Sequence, residues 1–322
     1  MKPVIAISMG DPAGVGPEII LKAFHDARVR RICRPVVVGD RGLLDLMAVK
    51  LGLKPLPAGS VRETGSLDAG RLRPGVVSAE CGRAMISYIE EAVRMAVGNE
   101  AAAVVTAPIT KEAAKLAGFR YPGHTEFIAH LMKTKDFRMM LGGAGRHDLK
   151  VVLVTIHVAL RAVPGLVTRA AVLKTLRVTD AAFKKDFGMK RPRIAVAGLN
   201  PHAGEAGMFG DEEKRVIAPA VRKARAEGID AVGPIAPDTV FYRAVRKKEF
   251  DCVVCMYHDQ GLGPLKLLHF EDGVNATLGL PIVRTSPDHG TAYDIAWKGK
   301  ASPESLISAI RMAAMMSKNR MK

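Results

Sequence analysis

The segments KVVLVTIH (residues 150–157), RIAVAGLNPH (193–202) and DCVVCMYH (251–258) decide the fold. Each is a short run of apolar residues that delivers a histidine at its carboxyl end. Short apolar runs bounded by turn residues read as buried strands. Working outward, residues 168–187 and 211–228 predict helices between them. Strands alternating with helices argue for an α/β fold with a largely parallel sheet. In open sheets of this kind, ligands bind outside the carboxyl ends of the strands. Three imidazoles at one such edge can hold a divalent ion and leave coordination positions for substrate. The alternative is that His157, His202 and His258 are hydrogen-bonded separately at loop starts.

The first half repeats the alternation. PVIAISM (3–9) leads through a glycine-rich turn into PEIILKAF (17–24), and PVVVGD (35–40) leads into RGLLDLMAVKLG (41–52). In GRAMISYIEEAVRMAVG (82–98), Met85, Ile89, Ala92, Val93 and Ala96 recur at helical spacing, and Gly98 ends the run. AAAVVTAPI (101–109) reads as a buried strand. Residues 54–77 are rich in Pro and Gly without periodicity and predict an irregular hairpin or excursion. The final helix has Ser302 as a cap, Pro303 in the first turn and Glu304 against the dipole.

Composition narrows the classes. A chain of 322 residues makes one large domain or two of ordinary size. Apolar runs reach about eight residues, far short of the roughly 20 that span a bilayer. The N-terminus reads as a first strand, not a signal peptide, and four scattered cysteines fit a reducing cytoplasm. Cys252 and Cys255 form a C-x-x-C inside an apparent strand, where residues three apart point to opposite faces. Buried small residues are the better account there than a chelating or redox pair. The net charge of +16 raises nucleic-acid binding. Basic residues are spread over many segments and aromatics are few, so a basic surface that attracts an anionic substrate is preferred.

Other residues carry potential chemistry. His124 and Thr125 in YPGHTEFIAH (121–130) open a helical run, where they can bind an oxyanion, or Thr125 can simply cap the helix. Lys266, Asn275 and Arg284 supply cations and an amide suited to phosphate or carboxylate. A structural salt bridge is the alternative for Arg284. GDPAGVGPE (10–18) fails the dinucleotide fingerprint, because Ile19 holds the third glycine position, and it lacks the lysine of a P-loop. In SPDHGTAYDIAWKGKASP (286–303), Gly290 permits close backbone approach and Asp294 can accept from ribose hydroxyls, although HGTAYD also fits an ordinary loop and helix start.

Taken in order, MGDPAGVGPEI, GHTEF, IHVALRAVP, GLNPHAGE, MYHDQGLGPLK and GVNATLGLPIVRTSPDHGTAYDIA closely resemble the 4-hydroxythreonine-4-phosphate dehydrogenase family of pyridoxal 5'-phosphate biosynthesis. The resemblance covers essentially the whole chain. It implies a two-domain fold like isocitrate and isopropylmalate dehydrogenases, with a cleft between the domains and a homodimer that shares its active site. By that pattern residues 1–122 plus 285–322 form an outer domain and 123–284 the second. It implies metal ligands at His157, His202 and His258, one of them donated across the dimer, for an ion such as zinc, cobalt or magnesium. Substrate contacts are implied for His124, Thr125, Lys266, Asn275 and Arg284. The loop with His289, Gly290, Ala292 and Asp294 is implied to take NAD or NADP. Asp259 is a candidate base, and Asp259 and Gln260 are candidate partners for the His258 ring.

The implied reaction is oxidation of a small phosphorylated hydroxy acid followed by loss of CO2. No nucleic-acid or membrane partner is expected. Two positions depart from the family pattern: Trp297 replaces a usual glycine, and Ala159 a frequent proline. Similar paralogues act on D-threonate or D-erythronate 4-phosphate, and others on aromatic cis-dihydrodiols, although Lys266 and Arg284 argue against an uncharged diol. Phosphate acetyltransferases, which share a related fold, and a non-catalytic nucleic-acid binder are more distant readings.

Overall fold

A computed structural model describes residues 2–65, 67–143 and 148–321. In chain order the strands are β1 (Val4–Ser8), β2 (Arg34–Gly39), β3 (Val61–Glu63), β4 (Ala103–Thr106), β5 (Arg138–Gly143), β6 (Lys150–Leu153), β7 (Ile194–Ala197), β8 (Ala231–Ile235), β9 (Cys252–Cys255), β10 (Gly273–Leu278) and β11 (Val283–Pro287). Helices fall between most of them, so the chain has an α/β fold. None of the described helices is long and apolar enough to cross a membrane.

The residues divide into two compact units, 1–135 with 280–322, and 136–279. The division differs from the one expected at 122/123 and 284/285. Arg284 lies on β11, which pairs in parallel with β4, and the helix that begins at His124 packs on the helix Ala79–Val97. Both belong with the first unit for that reason.

In the first unit the strand order is β3-β2-β1-β4-β11, all parallel. β1 and β4 are apolar and buried throughout β4 and most of β1, as the middle of a doubly covered sheet requires. Met85, Ile89, Ala92, Val93 and Ala96 of the helix Ala79–Val97 are all buried. Ser78 Oγ caps that helix by accepting from Cys81 N at 3.1 Å. Gly98 ends it without a left-handed turn (φ −78°); the positive φ falls on Asn99 instead (58°). Among the described residues the Pro/Gly-rich stretch is an excursion and not a hairpin. It contributes β3, a single edge strand parallel to β2, although residue 66 lies outside the described residues.

In the second unit the order is β10-β5-β6-β9-β7-β8. β5 runs antiparallel to both neighbours, while β6, β9, β7 and β8 are parallel. The helix Arg169–Phe187 starts on Thr168, whose Oγ1 accepts from Ala171 N, and ends at Gly188 in the left-handed region. The segment expected as one helix from 211 opens with a π-helical turn, Glu213–Ile217, before the helix Ala218–Ala226. Cys252 and Cys255 are buried free thiols, and burial pushes both thiols up, away from the reactive thiolate.

Candidate active site

In the first unit, parallel pairing of β4 and β11 sets Arg284 opposite Val104, and its side chain reaches Thr106 at the carboxyl end of β4. Arg284 is buried and donates from Nη2 to Thr106 Oγ1 at 2.7 Å. Its Nη1 lies 3.5 Å from Thr125 Oγ1. Burial lowers the guanidinium to about 10, with the charge of Glu126 pulling it back up. It therefore remains cationic at neutral pH.

Thr125 does not cap its helix. The helix His124–Leu131 begins on Gly123 with no side-chain cap, and the Thr125 hydroxyl is turned to Arg284. His124 Nε2 is enclosed without a hydrogen-bond partner. Burial, and then the Arg284 charge, hold this imidazole well below its usual value, so it is neutral. A buried cation, two hydroxyls and an enclosed ring nitrogen without a partner make a niche for an anionic group with hydrogen-bonding oxygens.

The loop 289–297 also belongs to the first unit. His289, Gly290 and Asp294 are exposed, and His289 Nδ1 lies 2.9 Å from Gly290 O. Ala292 and Trp297 both adopt positive φ (43° and 61°). Trp297, standing where glycine was expected, thus keeps a glycine-like backbone while its ring is buried.

In the second unit, His157 follows β6 and His258 opens the helix His258–His269 after β9. His258 therefore stands at a helix start, not at the end of a strand. The parallel pairing of β6 and β9 brings the two imidazoles to a centroid separation of 5.4 Å. Asp259 Oδ1 lies 2.7 Å from His258 Nδ1, which leaves Nε2 of that ring for a ligand. Gln260 does not touch the ring. It is buried, accepts from Met256 N and donates to Gly198 O, each at 2.7 Å, and so ties the loop after β9 to that after β7.

His202 sits exposed in a run of left-handed residues: His202, Ala203, Glu205 and Ala206 have φ of 52°, 55°, 40° and 57°. Each such residue costs about 1–2 kcal/mol. The buried Glu213 carboxylate holds the run, accepting from Leu199 N and Asn200 N, both at 2.7 Å. Among the described residues no three His, Cys, Asp or Glu side chains are grouped closely enough to hold a metal ion. The His157–His258 pair has the donor chemistry of a divalent-ion site, with a carboxylate on one ring. Lys266, on the helix His258–His269, has its Nζ 5.6 Å from the Phe270 ring centroid. Asn275, on β10, has an enclosed Oδ1 without a partner.

Residues 31–313 match the family model described as pyridoxal phosphate biosynthetic protein PdxA. The chain belongs to the PdxA family. It is 51% identical to a 4-hydroxythreonine-4-phosphate dehydrogenase of Desulforapulum autotrophicum, over 98% of this chain and 96% of that protein. It is 44% identical to a D-threonate 4-phosphate dehydrogenase of Pectobacterium atrosepticum, over 98% and 100%. Its structure is similar to a crystal structure of 4-hydroxythreonine-4-phosphate dehydrogenase from Klebsiella pneumoniae, with TM-score 0.88, 43% identity and 98% of each chain covered. Membership of the PdxA family makes this chain a dehydrogenase.

Several residues of this PdxA member escaped the sequence reading. Thr106 was one polar residue ending an apolar run, and that position at a strand's carboxyl end was the available signal. Glu213 looked like an ordinary residue of a helix first turn. Asp11 and Tyr293 lie 282 positions apart, and nothing local in either segment announces their contact.

Proposed function

We propose that this chain oxidises 4-phosphooxy-L-threonine with NAD or NADP and decarboxylates the product. The products would be 3-amino-2-oxopropyl phosphate, CO2 and the reduced dinucleotide. The observation that carries the reading is the buried Arg284 against Thr106 and Thr125, with the His124 ring nitrogen enclosed and unsatisfied beside it. Similarity over 98% of the chain to proteins named 4-hydroxythreonine-4-phosphate dehydrogenase supports it.

In this reading Arg284, Thr125 and neutral His124 hold an anionic group of the substrate, with Lys266 and Asn275 as further contacts. Binding energy from that remote group orients the reacting carbon. The residues that would hold a divalent ion are His157 and His258 together with His202. When bound, a zinc, cobalt or magnesium ion would supply Lewis acidity at the substrate hydroxyl, and the dinucleotide would supply a hydride acceptor. Asp259 fixes the orientation of the His258 ring, and it is the candidate for receiving the hydroxyl proton. His289, Gly290, Ala292 and Asp294 meet the adenosine end of the dinucleotide.

We also propose that the working form is a homodimer in which His202 serves the partner's site. His202 is exposed on its strained loop, and Met208 and Phe209 are exposed a few residues on.

The second reading is oxidation of D-threonate 4-phosphate, favoured by the 44% identity to an enzyme of that name. Equal yields of CO2 and reduced dinucleotide from 4-phosphooxy-L-threonine, both abolished by a chelator and restored by metal, are expected. Dinucleotide reduction without CO2 would rule out the decarboxylation.

A further inference from the structure

The turn GDPAGVGPE (10–18) matches no nucleotide motif, yet it is among the most buried stretches of the chain. Several of its polar groups bond to the loop 289–301. Asp11 is fully buried; its Oδ1 accepts from Ala13 N at 2.9 Å, and its Oδ2 accepts from the Tyr293 hydroxyl at 2.5 Å. Thr110 Oγ1 donates to the same phenol oxygen at 2.8 Å. Val15 N donates to Thr291 O at 3.0 Å, and Trp297 Nε1 donates to Pro12 O at 3.1 Å.

One turn further on, the buried Glu18 carboxylate accepts from Gly299 N at 3.1 Å and Ala301 N at 2.8 Å. Lys22 Nζ bridges Glu18 to the carbonyls of Gly299 and Ala301. Gly14 has no side chain for a related reason: a Cβ there would stand 3.0 Å from Thr291. The turn thus meets the loop at Thr291, Tyr293, Trp297, Gly299 and Ala301.

These contacts hold a loop that is unfavourable by itself. Ala292 and Trp297 are non-glycine residues at φ 43° and 61°. Such conformations persist only where the surroundings over-determine them, and they concentrate at ligand-binding segments. A loop held in its binding shape before the ligand arrives costs less ordering on binding.

We propose that Asp11 and Tyr293 are positioning residues for the dinucleotide, and that the 10–18 turn is a buttress which fixes the shape of the 289–297 loop. This rests on the reading of that loop as the cofactor site. Tyr293 would act through the loop backbone and not by touching the reacting atoms.

Trp297 is the single tryptophan of the chain, so its emission reports on this loop directly. The test is a titration of wild type, Tyr293→Phe, Trp297→Phe and Asp294→Ala with NAD and NADP. It is read by Trp297 emission where that residue is present, by calorimetry for all four, and by steady-state kinetics. Tyr293→Phe is expected to weaken dinucleotide binding about 10-fold, with kcat and the KM for the phosphorylated substrate within about twofold of wild type. Trp297→Phe, which keeps a ring but loses the bond to Pro12, is expected to show the same split. A Kd within about twofold of wild type for both variants, while Asp294→Ala weakens binding, overturns the buttress and keeps the cofactor loop. An unchanged Kd for Asp294→Ala as well shows that the loop is not the cofactor site, and the inference falls with that reading.

Discussion

Arg284 on β11 donates to Thr106 on β4 at 2.7 Å, with both side chains buried. The contact holds the guanidinium, cationic at neutral pH, at the carboxyl end of β4, where an anion can meet it. Thr106→Val keeps the shape and removes the acceptor. A hydrogen bond to a charged group is worth about 1.5–3 kcal/mol. The KM for the phosphorylated substrate should rise by the corresponding factor, while dinucleotide affinity stays unchanged. Steady-state kinetics with each substrate varied in turn checks this. An unchanged substrate KM would remove Arg284 from the anion niche.

His124 makes stability depend on pH in a known direction. Its folded-state value lies well below the ordinary 6.5, through burial and the Arg284 charge. The unfolded chain therefore takes up a proton first as the pH falls. The stability held by neutral His124 is fully present above about 6.5 and is lost progressively as pH drops toward the depressed folded value. His124→Gln should flatten that part of the profile. Urea midpoints measured between about pH 5 and pH 7.5 decide it; parallel slopes in the two proteins would contradict the assignment.

Glu213 holds the left-handed segment that carries His202, accepting from two backbone N–H groups at 2.7 Å. Glu213→Gln removes the charge and sets an amide NH2 against Asn200 Nδ2, which donates to Oε2 at 3.0 Å. A loss of about 2–3 kcal/mol of stability is expected from the charged hydrogen bonds, along with less metal retained per chain. Thermal unfolding and metal analysis of the purified protein measure both. A variant of wild-type stability and metal content would show that the strained segment needs no such support.

If His202 serves the partner's site, two inactive variants should complement. His202→Ala and His258→Ala, unfolded and refolded together, form mixed dimers with one intact site each. Random pairing predicts recovery of about a quarter of wild-type turnover. No recovery, with mixed dimers confirmed by mass, would place all three histidines in one chain's site or in none.

Much of the architecture was legible because it rests on local patterns. The buried helix positions Met85, Ile89, Ala92, Val93 and Ala96 follow from spacing alone, as do the apolar strands that precede His157 and His202. The limits lie where partners are distant in sequence. Glu18 is satisfied by residues more than 280 positions away, and Thr106 by Arg284, 178 positions on. Local cues also misplaced some ends. Ser302 does accept from Glu304 N, but at 3.4 Å, and the last helix begins at Glu304, after Pro303. The left-handed run at 202–206 lies in PHAGEAG, where only Gly204 and Gly207 favour such φ, and the residue that makes it tolerable is Glu213. Among the site residues, His124, Thr125 and Arg284 were recognisable by type, whereas their mutual contact depends on the β4–β11 pairing.

The most direct test of the account is dinucleotide reduction by the metal-loaded protein, with 4-phosphooxy-L-threonine and D-threonate 4-phosphate compared at equal concentrations. The account predicts reduction with 4-phosphooxy-L-threonine at a kcat/KM at least about tenfold above that for D-threonate 4-phosphate, the ratio set by roughly 1.4 kcal/mol of differential transition-state binding. A reversed preference, or no reduction with 4-phosphooxy-L-threonine, would contradict it.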